Sequence, residues 1–171
     1  MIAIDNEEIG SLTSQGANSS FIKNMLERIA LALNKDKEDF YRAISNSIMI
    51  SADLAHAVHP NLNEKHDPTN RPMLGMGPVI KKAASGSYST DGYSAAIFRN
   101  ICDEAKVPVQ TFVNRSDVRG GTTIGPIMSA DLTIPVIDMG APLLGMHSVR
   151  ELANVNDNYY CVKAFTNFFE K

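Results

Sequence analysis

The sequence has no tryptophan, only two cysteines and no uninterrupted apolar run long enough to span a bilayer. A membrane helix needs roughly 18–20 apolar residues in a row, so no span is expected. Cys102 and Cys161 stand alone in helix-like segments. They offer no disulfide framework and no metal-ligand spacing. Both read as buried small hydrophobes, which suits a reducing cytosol. There is no basic excess either: 16 Lys and Arg stand against 19 Asp and Glu, giving a net charge of −3. With basic residues scattered, nothing tracks a phosphate backbone, and nucleic acid is not an expected partner. The opening MIAIDNEE lacks the basic start and long apolar run of a signal peptide, so a cytoplasmic location is expected. No repeat, low-complexity tract or interdomain linker is visible.

What remains is the composition of one ordinary globular domain: 171 residues, 44% hydrophobic and 20% charged. Residues 1–5 read as a short strand and 6–17 as a polar loop. Asn18, Ser19 and Ser20 supply N-cap chemistry for a helix marked by Phe21, Ile22, Met25, Leu26, Ile29 and Leu33 at helical spacing. A second helix fits 36–46, with Asp36, Glu38 and Asp39 at its positive end. Residues 47–53 form a β-branched run ending in Asp53. The stretch 57–77 holds Pro60, Pro68, Pro72, Gly75 and Gly77 and reads as a long loop. Strands are expected at 78–83, 107–113 and 133–139. A helix at 92–105 turns Ala96, Ile97, Ile101 and Ala105 inward, and a last helix covers about 154–169. Strands alternating with helices argue for an α/β fold, a three-layer αβα arrangement with a mostly parallel or mixed sheet. In such sheets functional residues collect where strands end.

Asp5-Asn6-Glu7-Glu8 crowds three acids into four residues just where an apolar run gives way to Gly10-Ser11. Like charges that close are costly unless a cation neutralises them or one stays protonated. A solvated acidic corner is one reading. A metal ligand beside a general base is the other. Two further segments could converge on it: SADLAHAVHPN, with Asp53, His56 and His59, and GMHSVRE, with His147, Arg150 and Glu151. Carboxylates plus imidazoles suit zinc or a related divalent ion, and a hydrolytic site needs a base that is not itself a ligand. Taken singly, each has a plainer role: His56 and His59 in a loop or core pair, Asp53 as a turn cap, His147 as packing. The Gly120–Pro126 loop could cradle an anion on its amides, but it lacks the phosphate-loop Gly-Lys-Ser/Thr pattern and reads better as a tight turn.

DNEEIGS, SADLAHAVHPN, GPVIK, GTTIGPI and GMHSVRE, in this order, resemble the aspartyl aminopeptidase family of dinuclear zinc aminopeptidases, the vacuolar aminopeptidase I-like enzymes. The resemblance runs over essentially the whole chain, and it implies that residues 1–171 are the C-terminal part of a metalloaminopeptidase catalytic domain. It implies two zinc ions per complete site and a peptide substrate. It assigns Glu7 as the general base acting on the metal-bridging water. Glu8 and His147 become ligands of one zinc and Asp53 a ligand of the other. His56 stabilises the tetrahedral intermediate. Lys81, Tyr88 and Met146 lie by the substrate. It also implies a homo-oligomer.

The chain departs from the family pattern in two ways. A bridging aspartate and one more histidine belong upstream of DNEE, so an N-terminal catalytic half or its equivalent is an expected partner. Where the family has an asparagine-rich stretch and an Arg-Tyr pair, this chain has KKAASGSYST, with Ser87 before Tyr88, which leaves acidic and neutral residue preferences both open. The chain alone is expected to be weakly active or inactive and to self-associate. The alternative is a non-enzymatic α/β remnant that serves in assembly.

Overall fold

The computed structural model describes residues 1–171. Five helices and seven strands follow a three-residue 3-10 turn at Glu7–Ile9. Helices α1 (Phe21–Ala32) and α2 (Lys37–Ser45) come first, then strands β1 (Met49–Ala52), β2 (Ala55–His56) and β3 (Val79–Lys82). Helix α3 (Gly92–Glu104), strand β4 (Gln110–Val113) and helix α4 (Gly125–Leu132) lead to β5 (Val136–Gly140), β6 (Pro142–Leu144) and β7 (Leu152–Ala153). Helix α5 (Val155–Phe169) closes the chain.

The main sheet has the order β1-β5-β3-β4 and is mixed: β1 runs parallel to β5, β3 parallel to β4, and β3 antiparallel to β5. A small second sheet, β2-β6-β7, grows from the strand ends. Every residue of β5 is buried, as expected for a strand covered on both faces. Its side chains alternate. Ile137 and Met139 pack with Ile80, Phe98, Ile101, Cys102 and Ala164, so α3 and α5 cover one face. Val136 packs with Ile22, Met128 and Leu132, so α1 and α4 cover the other. These are the three layers expected from the sequence. Fully burying side chains of this size contributes roughly 1.5–3 kcal/mol each.

Two helices start where the sequence places strong caps. Asp36 accepts from Asp39 N–H at 2.8 Å, and the Asp39 carboxylate accepts from Asp36 N–H in return. Asp91 and Ser94 close the same reciprocal box on α3. The 57–77 segment is a long loop, but a tethered one. The buried Asp157 carboxylate accepts from Gly75 N–H at 2.6 Å and from Gly77 N–H at 2.7 Å. The Gln110 side chain bonds both sides of Met73.

The structure corrects several expectations. Residues 1–5 are not a strand. Nothing pairs with them: β1 has one hydrogen-bonded neighbour, β5, and Ile2 is exposed. Only Ile4 reaches the core, against the Ile22–Met128 cluster. On α3 the inward positions are Ala95, Phe98, Ile101 and Cys102, while Ala96 faces solvent. On α1 only Ile22 is buried, and Phe21, Ile29 and, at the helix C-cap, Leu33 are exposed. Cys161 is half-buried rather than buried. Helix α4 forms inside what reads as loop and strand approach, and β6 and β7 form within the 141–153 loop.

Candidate metal and catalytic site

The crowded acids sit on a backbone bent for them. Asn6 takes a left-handed conformation (φ 62°), and Gly10 (φ 99°) and Ser11 (φ 61°) do the same beyond the 3-10 turn. Such angles are uncommon for non-glycine residues and mark a conformation held by its surroundings. Here the Asn6 carbonyl accepts from Ser11 N–H at 2.9 Å, and the Asn6 side-chain oxygen accepts from the Thr13 hydroxyl at 2.8 Å. The single turn between them carries Glu7 and Glu8.

A second strained turn faces it. After β6 the chain passes through Gly145 (φ 70°) and His147 (φ 66°), and Ser148 N–H bonds back to the Gly145 carbonyl at 2.8 Å. The His147 N–H donates to Glu151 Oε1 at 2.6 Å, which holds the left-handed residue in place. The outcome is that His147 Nε2 lies 3.0 Å from Glu8 Oε2. Met146 is half-buried in the same turn.

Behind this pair lies a second one. Lys81, on β3, is 3% exposed and donates to Asp53 Oδ2 and to the Leu54 carbonyl, each at 2.8 Å. Asp53 Oδ1 accepts from Leu54 N–H at 2.6 Å. The Tyr88 ring lies 5.4 Å from Lys81 Nζ and meets Phe112 edge-on. Phe112 is also the wall for the His56 and His66 rings.

The fields of these groups overlap. Burial, and then the negative charges of Asp53 and Glu8, hold the Glu7 carboxyl above its ordinary value, while Lys81 and His147 pull the other way. Burial, then Lys81 and His147, push the His56 imidazole down.

Glu7, Glu8, Asp53, His56, Lys81, Tyr88 and His147 are thus drawn from both sheets and three loops to one edge. His59 stays apart from this work: its Nδ1 accepts from Asn61 N–H at 3.2 Å, as a loop cap. One residue escaped the reading of the sequence: Phe112 is the shared aromatic wall, with no signal beyond one aromatic in a strand. Asp138, an acid that the sequence places at a strand end beside the other candidates, is a wholly buried carboxylate in β5.

The donor set fits a metal in part. Glu8 and His147 are a carboxylate and an imidazole already at contact distance, as two corners of a tetrahedral zinc site require. No three His, Cys, Asp or Glu side chains of the chain come close enough together to hold a metal ion by themselves. The thiols do not help: burial pushes Cys102 up to about 12 and Cys161 up to about 11. Glu8 and His147 are therefore the two donors that this chain brings into contact.

Known proteins are similar to this chain in sequence and fold. Residues 1–169 match the family described as aminopeptidase I zinc metalloprotease (M18). A probable M18 family aminopeptidase 2 of Clostridium novyi is 58% identical over 169 residues, 99% of this chain and 39% of that protein. The solved mApe1 dodecamer of Saccharomyces cerevisiae superposes with a TM-score of 0.86 at 32% identity, covering 98% of this chain and 36% of that one. The M18 aminopeptidase of Thermotoga maritima does so at 0.83 and 32%, covering 94% and 37%. The chain thus spans under two-fifths of the length of the relatives it matches. With a match over nearly its whole length, the chain belongs to the aminopeptidase I zinc metalloprotease (M18) family.

Proposed function

We propose that these residues are the C-terminal part of the catalytic domain of a two-zinc aminopeptidase, which releases N-terminal amino acids from peptides. The observation that carries this is the 3.0 Å contact between Glu8 and His147, two exposed groups on two strained turns that have no packing reason to meet. Zinc, when bound, supplies Lewis acidity toward a peptide carbonyl and toward water. The remaining donors come from the part of the relatives' length that this chain does not span, a bridging aspartate and a histidine among them.

In this reading Glu8 and His147 hold one ion and Asp53 the other, with Lys81 fixing the Asp53 carboxylate. Glu7 accepts a proton at its carboxylate oxygen and returns it to the leaving amine, and its raised affinity for a proton suits both steps. His56 donates to the oxygen that becomes negative as the carbonyl is attacked. Lys81, Tyr88 and Met146 shape the substrate side. The work is cytoplasmic, and the two free thiols are compatible with a reducing compartment.

For the isolated chain, the absence of a three-donor group supports little or no hydrolysis. The same observation favours the second reading, a non-enzymatic module that serves in assembly. Self-association is also proposed, as a homo-oligomer. It is supported by the dodecameric yeast relative, by the open edge of β1 and by the exposed Phe21 and Ile29 on α1 and Leu33 at its C-cap.

The deciding experiment joins the chain to the upstream part of the Clostridium novyi relative and assays acidic and neutral aminoacyl substrates with zinc. Hydrolysis by the joined protein that is lost on Glu7→Gln supports the enzyme reading. Retention of zinc without any hydrolysis favours the assembly module.

A further inference from the structure

The Asp138 carboxylate is fully buried, and no cation neutralises it. Its Oδ2 accepts from Ser89 N–H and its Oδ1 from the Thr123 hydroxyl, each at 2.6 Å. Its own N–H donates to the Thr90 hydroxyl at 2.9 Å. Both oxygens lie against the start of α4, where a Cβ on Gly125 would fall 2.3 Å from Oδ1. The Gly-rich loop meets this carboxylate through the Thr123 hydroxyl and the bare Cα of Gly125, with no donation from its backbone amides. A buried carboxylate held by neutral donors alone is costly to keep, so its geometry is closely specified.

What it specifies is the 87–90 segment. Ser89 and Thr90 bind Asp138 directly, while the Ser87 carbonyl accepts from the Thr122 hydroxyl at 3.0 Å. Tyr88 is pinned between these anchors. It is 9% exposed, packed on Phe112 and placed over Lys81, which in turn grips Asp53.

We propose that Asp138 is a positioning residue that locks Tyr88 against Lys81 and thereby fixes the Lys81–Asp53 pair at the candidate site. The meaning of that pair rests on the reading under Proposed function, but the contact itself does not. The test needs neither metal nor hydrolysis, so either claim can fail alone.

The chain is labelled with 13C-tyrosine, and the Tyr88 resonances are identified by their disappearance in Tyr88→Phe. Asp138→Asn turns an acceptor into a donor facing donors. The expected result is loss of the nuclear Overhauser contact between the Tyr88 ring and the Lys81 side chain, with the Phe98 and Ile101 core resonances retained. Val136→Ala, a truncation on the same strand, is expected to lower stability and leave that contact intact. A folded Asp138→Asn chain that keeps the contact overturns the proposal. So does loss of the contact in Val136→Ala, which would make the effect one of stability. Should Asp138→Asn lose its core signals, Thr123→Val decides. It removes one donor to the carboxylate, and loss of the contact supports the proposal while an unchanged contact overturns it.

Discussion

His147 reaches Glu8 across the chain, Nε2 to Oε2 at 3.0 Å, and it does so from a left-handed backbone conformation (φ 66°). Strain of this kind persists only where surrounding bonds over-determine it, and it gathers at functional sites. Here Glu151 supplies the restraint by accepting the His147 N–H. Both side chains are about two-thirds exposed, so the pair contributes little to stability as an ion pair. Its value lies in geometry.

That geometry sets the first prediction. The chain alone is expected to hold at most one loosely bound zinc, because it gathers no third donor. Glu8→Gln and His147→Ala should each weaken that binding by at least about tenfold. Glu27→Gln, on α1 and outside the site, should leave it unchanged. Isothermal titration with zinc and elemental analysis after dialysis read both. Two tightly held ions on the unmodified chain would sink the half-site reading.

Lys81 and Asp53 are unequal partners. The Lys81 ammonium is 3% exposed, while the Asp53 side chain is 44% exposed. Removing the acid strands a buried charge on one carbonyl, whereas removing the lysine returns a carboxylate to water. Asp53→Ala is therefore expected to destabilise the chain by about 1–3 kcal/mol. Lys81→Met should cost less. Urea unfolding midpoints measure the two, and the reverse order would show that Lys81 is hydrated in solution.

Stability should also fall in mild acid. His56 and His66 are both pushed below the ordinary imidazole value of 6.5, burial being the main cause in each. Below 6.5 the unfolded chain takes up protons that the folded chain refuses. Their contribution is thus present above that pH and is lost as the pH falls through the folded values. Glu7 acts with the opposite sign. Its raised carboxyl favours folding at low pH and loses that contribution as the pH rises above 4.5. Chemical unfolding between about pH 5 and 7 should show stability rising with pH. The double variant His56→Gln/His66→Gln should flatten that rise. A slope that survives the double variant would assign it to other groups.

The layers of the fold were legible because each rests on a local signal. Asp36 and Asp91 announce their helices, and the apolar run at 136–140 announces the central strand. The site was legible through ordered motifs: six of its named side chains fall within 3-10 turn, strand-end and loop positions that the motifs mark. What failed to show were features set by tertiary context. Residues 1–5 have strand composition but no neighbour to pair with. Helix α4 begins at Gly125-Pro126, a pair that reads as a turn until the Asp138 carboxylate occupies its first turn. Strands β6 and β7 are three and two residues long and exist by pairing with each other, β6 also with β2. The exposed face of α1 carries the same periodicity as a buried one, so periodicity alone overstated how much of it is covered.

Gly140 gives the most direct test of how the strand ends place the site. It closes β5 beside the end of β1, where a Cβ would fall 1.4 Å from the Asp53 carbonyl oxygen. No rotamer relieves a clash with backbone, so Gly140→Ala must push the two strand ends apart. Overpacking of this kind costs about 1–3 kcal/mol, sometimes more. The displaced segment carries Asp53, whose carboxylate Lys81 grips at 2.8 Å, and continues into His56 on β2. Gly140→Ala is therefore expected to lower stability and to shift the His56 imidazole resonances together with the Lys81 ammonium signal. Gly121→Ala is the control, because a Cβ there meets nothing within 4 Å. It should leave both signals in place. If Gly140→Ala unfolds the chain, the same substitution is made in the joined protein and the His56 and Lys81 signals are read there. Unmoved His56 and Lys81 signals in a folded Gly140→Ala chain would mean that the β1–β5 junction does not position the site.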